Sequence, residues 1–150
     1  RDVTGVQTCA LPILKMTSQD LIVSETDERG VITYANDTFC RFAGYELDEL
    51  IGQPHNLIRH EDMPKWAFEW LWNSLKAGQT WAGFVKNKSR SGDFYWVYAT
   101  AYPTVLPSGE VRYTSIRVAP DQAEVDAYAG VYAAHHSKAP EILKALGLRN

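Results

Sequence analysis

Three successive segments, residues 79–88, 93–102 and 110–119, have strand character and are separated only by the turn-forming stretches 89–92 and 103–109. Connections this short join antiparallel neighbours, so the second half of the chain can fold only as a meander of paired strands. In Phe94-Tyr95-Trp96-Val97-Tyr98-Ala99 both alternating faces are apolar. A sheet built on such a strand is covered on both sides, with a pocket wall on one face and a helix or a partner chain on the other. Left open, the aromatic face would be an association surface.

Upstream, residues 21–26 form a short β-branched run, Asp27-Glu28-Arg29-Gly30 supplies a turn, and 31–34 reads as the return strand of a hairpin. Asn36 or Asp37 can cap a helix over 38–43 with Gly44 as its stop, and 47–52 reads as another helical turn closed by Gly52. From 64 to 77, Trp66, Ala67, Trp70, Leu71 and Leu75 recur at three- and four-residue spacing behind Met63, and Gly78 ends the pattern. Phe68 and Trp72 form a second apolar stripe on this helix, so it either lines a ligand pocket or is largely buried. Its tryptophans serve equally well as plain core mass.

Between the short helices and this long one, loop 53–64 gathers His55, Arg59, His60 and Asp62. Arginine brings permanent charge and a fixed fork of donors; histidine brings a hydrogen-bond partner, a proton donor or a metal ligand. Neither a nearby cysteine nor a third histidine completes a zinc set. The competing structural readings are an Arg59 ion pair with Glu61 or Asp62, loop-tethering histidines, and Asp62 as the cap of the long helix.

The passage of Tyr34-Ala35-Asn36-Asp37-Thr38-Phe39 from strand to helix, the histidine loop, Thr80-Trp81-Ala82-Gly83-Phe84-Val85-Lys86-Asn87 and Gly92-Asp93-Phe94-Tyr95-Trp96-Val97 together resemble a PAS domain. More narrowly, the series Asn36, His55, Arg59, His60, Asp62, Trp81 and Asn87 resembles the flavin-binding PAS domain of the bacterial aerotaxis receptor family, over about residues 20–119. The resemblance implies an α+β fold: a five-stranded antiparallel sheet, with short helices and one longer helix over one face and a C-terminal helical extension. It also implies FAD held non-covalently between the sheet and the 64–77 helix by those seven residues. Arg59 suits a pyrophosphate or the electron-rich edge of a reduced ring, the amides of Asn36 and Asn87 match a flavin pyrimidine edge, and Trp81 offers a stacking face. For Asn36 a capping role, and for Trp81 a core position, are the alternatives. The implied role is a sensor of oxygen or redox state feeding chemotaxis or another signalling pathway, with no catalytic residues. Light-sensing flavin domains of the same superfamily need a cysteine facing the ring; residues 55–60 contain none.

A chain of 150 residues with 45% hydrophobic content accommodates one domain with a proper core. A net charge of -3 without a dense basic run points away from nucleic acid and anionic membranes, and no stretch reaches the roughly 20 apolar residues of a membrane span. The expectation is a cytoplasmic module, a homodimer or a domain of a longer and possibly membrane-anchored parent. Cys9 and Cys40 form neither a metal spacing nor a disulfide framework, and Cys40 reads as a buried structural thiol. Val3 to Ile13 resembles the conceptual translation of a sequencing adaptor, so residues 1–13 are expected to be a non-native leader, 14–119 the domain, and 120–150 a helical exit linker or packed tail, broken near Pro140. Three other functions compete with the flavin sensor: a cofactor-free PAS dimerisation module, a haem-binding PAS sensor, and a small flavoenzyme, the last lacking a glycine-rich dinucleotide fingerprint.

Overall fold

A computed structural model of the chain describes residues 15–134 together with Glu141 and Lys144. The expected leader with Cys9, and the helical break near Pro140, lie outside the described residues. The elements in order are β1 (Ile22–Thr26), β2 (Ile32–Ala35), α1 (Asp37–Ala43), α2 (Leu47–Leu50), a 3-10 turn (His55–Ile58), α3 (Lys65–Lys76), β3 (Trp81–Lys88), β4 (Phe94–Val105), β5 (Val111–Val118) and α4 (Gln122–Ala134).

The five strands form one antiparallel sheet of order β2-β1-β5-β4-β3. The chain therefore begins and ends its sheet in the middle, where β1 pairs with β5 from Ile22↔Arg117 to Thr26↔Tyr113. Everything between β2 and β3 crosses one face. Ser24, Thr26, Val85, Asn87, Ala99, Ala101, Tyr113, Ser115 and Arg117 are at the inward parity of their strands and border the space beneath α3.

Local chemistry fixes the turns. The Asp27 carboxylate accepts the N–H groups of Arg29 at 2.8 Å and Val31 at 3.0 Å, which closes the β1–β2 hairpin as an Asx turn. Gly30 sits there at φ 81° with the Trp72 ring only 3.2 Å from where a Cβ would stand, so both the backbone and the close approach require glycine. Asn36 caps α1 by accepting the Phe39 N–H at 3.0 Å.

β4 runs past the expected end at 102 and includes Pro103. The last β3–β4 pair is Trp81↔Ala101; beyond it β4 has a neighbour on one side only, where a missing N–H is tolerated.

The aromatic outer face over β3 and β4 is covered by the chain itself. α4 buries Val125, Tyr128, Val131 and Tyr132, with the Tyr128 ring 4.5 Å from Phe84 and the Tyr132 ring stacked at 6.4 Å on Trp96. Tyr132 also donates its hydroxyl to the edge carbonyl of Phe84 at 2.7 Å. Residues 122–134 of the expected extension are thus helical and packed on the sheet.

Candidate functional site

Between the inner sheet face and α3 lies a cavity of about 190 Å3. Its floor is open because Ala99 and Ala101 place only methyl groups beneath it, and its roof is the second stripe of α3, Phe68 and Trp72, flanked by Leu71 and Leu75. The helix thus lines a pocket as well as being half-buried along its tryptophan side, where Trp66 meets Tyr132 and Trp70 meets Trp81.

Of the seven sequence-predicted site residues, His55, Arg59 and Asn87 line this cavity, whereas Asn36, His60, Asp62 and Trp81 do not. Loop residues 59 and 60 run along the free edge of β3: Arg59 bridges to Asn87, and the His60 N–H donates to the Lys86 carbonyl at 3.3 Å. Consecutive side chains along such an edge point to opposite sides. Arg59 turns inward and lies over the Phe68 ring at 4.1 Å, while His60 packs edge-on against Phe94 and accepts the Asp62 N–H at Nδ1.

Asp62 stands apart from both the cavity and the helix cap. It is exposed and bound to Lys86 Nζ at 2.7 Å, which holds its carboxyl below the usual carboxylate range. Nor does it cap the long helix, since the cap position is Pro64 and no side chain fills it. Glu61 is likewise engaged by Lys88 at 2.7 Å, so neither acid pairs with Arg59. Asn36 is consumed by backbone: besides capping α1, its carbonyl accepts the Val23 N–H and its amide donates to the Leu21 carbonyl at 2.9 Å. That ties α1 to β1 and spends the Asn36 carbonyl on backbone.

Trp81 has the parity of Val85 and Asn87 but sits at the far end of β3, edge-on to Trp70 and folded over Gly83. A Cβ on Gly83 would stand 2.6 Å from the Trp81 ring. Gly83→Ala is accordingly expected to lower stability by about 1–3 kcal/mol through forced displacement of the indole, read as a lower denaturant midpoint; an unchanged midpoint would show that the ring moves freely. Cys40, expected to be buried, is half-buried, and desolvation together with Asp37 and Glu46 pushes its thiol pKa up. It does not reach the cavity.

The residue that sequence reasoning missed is Arg117. It is only 2% exposed, yet among the described residues it has no carboxylate partner. Its Nη1 meets His55 Nε2 at 3.1 Å, its Nη2 donates to Ser24 Oγ, its Nε has no partner, and its guanidinium lies 4.6 Å from the Phe39 ring centre. Burial pulls its pKa down to about 10, so it stays charged at neutral pH.

An arginine can only donate, so His55 Nε2 must be the bare acceptor nitrogen and the ring proton sits on Nδ1. The electrostatics agree: burial first, then the Arg117 charge, pull the His55 pKa down to about 3. Nearby, burial pushes the Tyr95 phenol up to about 12. Its hydroxyl stands beside Asn87 but outside hydrogen-bond geometry, and so lacks a partner.

Three arginines, Arg29, Arg59 and Arg117, line the cavity, and no aspartate or glutamate does. Thr26 Oγ1 and Arg117 Nε are buried without partners. A slot with an apolar roof and unused donors along its floor fits a flat heteroaromatic group that carries carbonyl and ring-nitrogen acceptors and tolerates negative charge. A haem fits less well, because the one cavity histidine already commits Nε2 to Arg117 and Ser24. Among the described residues no cluster of His, Cys, Asp and Glu could hold a metal ion, and no helix is long and apolar enough to cross a membrane.

A central β1–β5 pair, helices over one face and a cavity beneath the longest of them define the PAS class of ligand-binding domain. The chain belongs to that family: residues 32–117 match the PAS fold. Over 113 residues it is 48% identical to the aerotaxis receptor of Escherichia coli, covering 75% of this chain and 22% of the receptor. It is also 36% identical over 91 residues to the nitrogen fixation regulatory protein of Klebsiella pneumoniae, covering 61% and 18%. The chain thus spans about a fifth of the length of these relatives. Among solved structures, a light-oxygen-voltage domain studied with a flavin analogue superposes with a TM-score of 0.62 at 19% identity, over 73% of this chain and 82% of that one. A PAS domain from Colwellia psychrerythraea gives 0.56 at 19% identity over 68% and 87%. These structural matches speak to the fold alone.

Proposed function

We propose that the chain is a sensory PAS domain that holds FAD non-covalently beneath α3 and reports oxygen or redox state to a larger signalling protein. The observation that carries this reading is the buried, acid-free cation Arg117 in a cavity with unused donors. A permanently buried charge without a counter-ion is costly unless something brought into the site compensates it. The relatives named for aerotaxis and for regulation of nitrogen fixation support the sensory role.

In this reading His55, Arg59 and Asn87, joined by Ser24, Thr26 and Arg117, hold the cofactor. His60, Asp62 and Trp81 act indirectly by fixing the edge and end of β3, and Asn36 by fixing α1 to β1. Bound flavin supplies a redox couple whose charge differs between its two states. Arg117 is tied to β1 through Ser24 and to the loop through His55. Any change in how it shares its donors is therefore felt in the two central strands, and through β5 at the start of the segment leading to α4. The domain works as a sensor in a cytoplasmic part of its parent and not as a catalyst, and pairing of two copies is part of the proposal.

The visible spectrum of the purified chain, followed by chromatography of the released cofactor, tests the reading. Flavin absorption with FAD released is expected. A Soret band would transfer the site to haem, and a colourless, folded protein not restored by added FAD would leave the interaction module.

A further inference from the structure

We propose that Arg29, in the β1–β2 turn, is a phosphate-binding residue that receives the charged tail of the ligand where it leaves the cavity. The inference deepens the flavin reading and rests on it.

The mouth of the cavity can be located from its wall. Arg29, Pro54 and Asn56 are the lining residues that are exposed, while the others are half-buried or buried. Two turns therefore frame the opening, the hairpin turn and the 3-10 turn, and they are fastened together: the His55 N–H donates to the Gly30 carbonyl at 2.9 Å, and Val31 bridges to Pro54. Arg29 is thus held at the rim by a fixed backbone even though its side chain is 82% exposed.

The cavity volume of about 190 Å3 is below the roughly 300–1,000 Å3 of pockets that enclose a whole drug-sized ligand. A dinucleotide can seat only its ring system here, and the remainder must pass between these turns. What it meets there is positive. Arg29 stands at the rim and Arg59 also lines the cavity, with no carboxylate among the lining residues.

The acid beside it is Asp27, whose Oδ1 accepts the backbone N–H groups of Arg29 and Val31 and whose Oδ2 accepts one hydrogen bond from Arg29 Nη2. Its contact with the Arg29 guanidinium is long, at 3.4 Å. Among the described residues only Nη2 of the guanidinium is engaged, which leaves Nη1 and Nε for a bidentate contact with a phosphate, the geometry arginine favours. The chemistry recognised is a phosphate ester or pyrophosphate attached to a flat ring, so phosphorylated flavins are selected over the bare ring.

The full chain, stripped of cofactor, is titrated with riboflavin, FMN and FAD by flavin fluorescence at low and at raised salt. The wild type is expected to prefer the phosphorylated forms, with a preference that shrinks as salt screens it. Arg29→Ala should reduce the FAD-to-riboflavin affinity ratio about fivefold, the scale of one exposed ion pair with a multiply charged group, and Arg29→Lys should recover part of it. An unaltered ratio in Arg29→Ala, with riboflavin and FAD both bound, would overturn the assignment and leave the flavin reading intact. Failure of all three flavins to bind the wild type would overturn both.

Discussion

Replacement of Arg117 by methionine is expected to raise the unfolding temperature of the cofactor-free protein while weakening its hold on flavin at least tenfold. The two effects have opposite sign if, as proposed, the arginine serves the ligand at the expense of the empty fold. Arg117 is 2% exposed without an acid partner, and its Nε is orphaned. Exchanging a buried charge for an apolar side chain of similar volume is often neutral or stabilising by about 1–4 kcal/mol. The usual penalty, stranded partners, is small here, because Ser24 Oγ and His55 Nε2 are already hydrogen-bonded to each other at 3.1 Å and keep that bond once the guanidinium is gone. In the flavin reading the same substitution would remove a buried cation from the cavity wall, and a tenfold loss corresponds to about 1.4 kcal/mol. Thermal unfolding of stripped protein and a flavin titration, run on the same two samples, decide the matter. A methionine variant that is less stable when empty and binds flavin undiminished would make Arg117 an architectural residue.

That this residue escaped the sequence reading has a physical cause. Ser115-Ile116-Arg117-Val118 reads as an alternation in which arginine faces water, and nothing within the strand contradicts it. Its burial is created by the β1–β5 pairing, which sets Arg117 against Ile22, a contact between the two ends of the domain. One signal was available: Arg117 shares parity with Tyr113, and an aromatic residue at that parity marks the inward face. The meander was legible because period-two apolar residues and short turns are local. The pocket-lining character of α3 was legible because Phe68 and Trp72 gave it a second apolar stripe. The loop was legible as a block but not residue by residue. Arg59, His60 and Asp62 are neighbours in sequence, yet pairing along the β3 edge sends Arg59 to the cavity, His60 to Phe94 and Asp62 to Lys86. Asn36 illustrates the reverse case: its capping of α1 is the ordinary chemistry of an asparagine before a helix, while its bonds to the backbone of Leu21 and Val23 depend on the fold.

Acid should destabilise this domain earlier than its carboxylates allow, and His55 is the reason. Folded, the ring gains a proton only near pH 3, against an ordinary value of 6.5. The unfolded chain therefore binds the extra proton first. As pH falls from about 6.5 toward 3 the unfolded state gains protonation free energy that the folded state does not, and stability is lost at up to about 1.4 kcal/mol per pH unit. Asp20, Asp27, Glu49, Glu61 and Asp62 all have lowered values. Their stabilising contributions are fully present above the ordinary values of 3.8 and 4.5 and fade only below them. The window between pH 7 and pH 5 thus isolates the histidine. His55→Gln keeps an acceptor for Arg117 and cannot take up the proton, so the drop in denaturant midpoint between pH 7 and pH 5 should be smaller in the variant than in the wild type. Equal drops would show that His55 titrates normally and that its contact with Arg117 exerts no hold on its charge. The structural reason to expect otherwise lies in the pairing itself: a proton on Nε2 would set a donor against Arg117 Nη1 at 3.1 Å, and an arginine has no lone pair with which to answer it. Protonation must therefore break the link between loop and sheet.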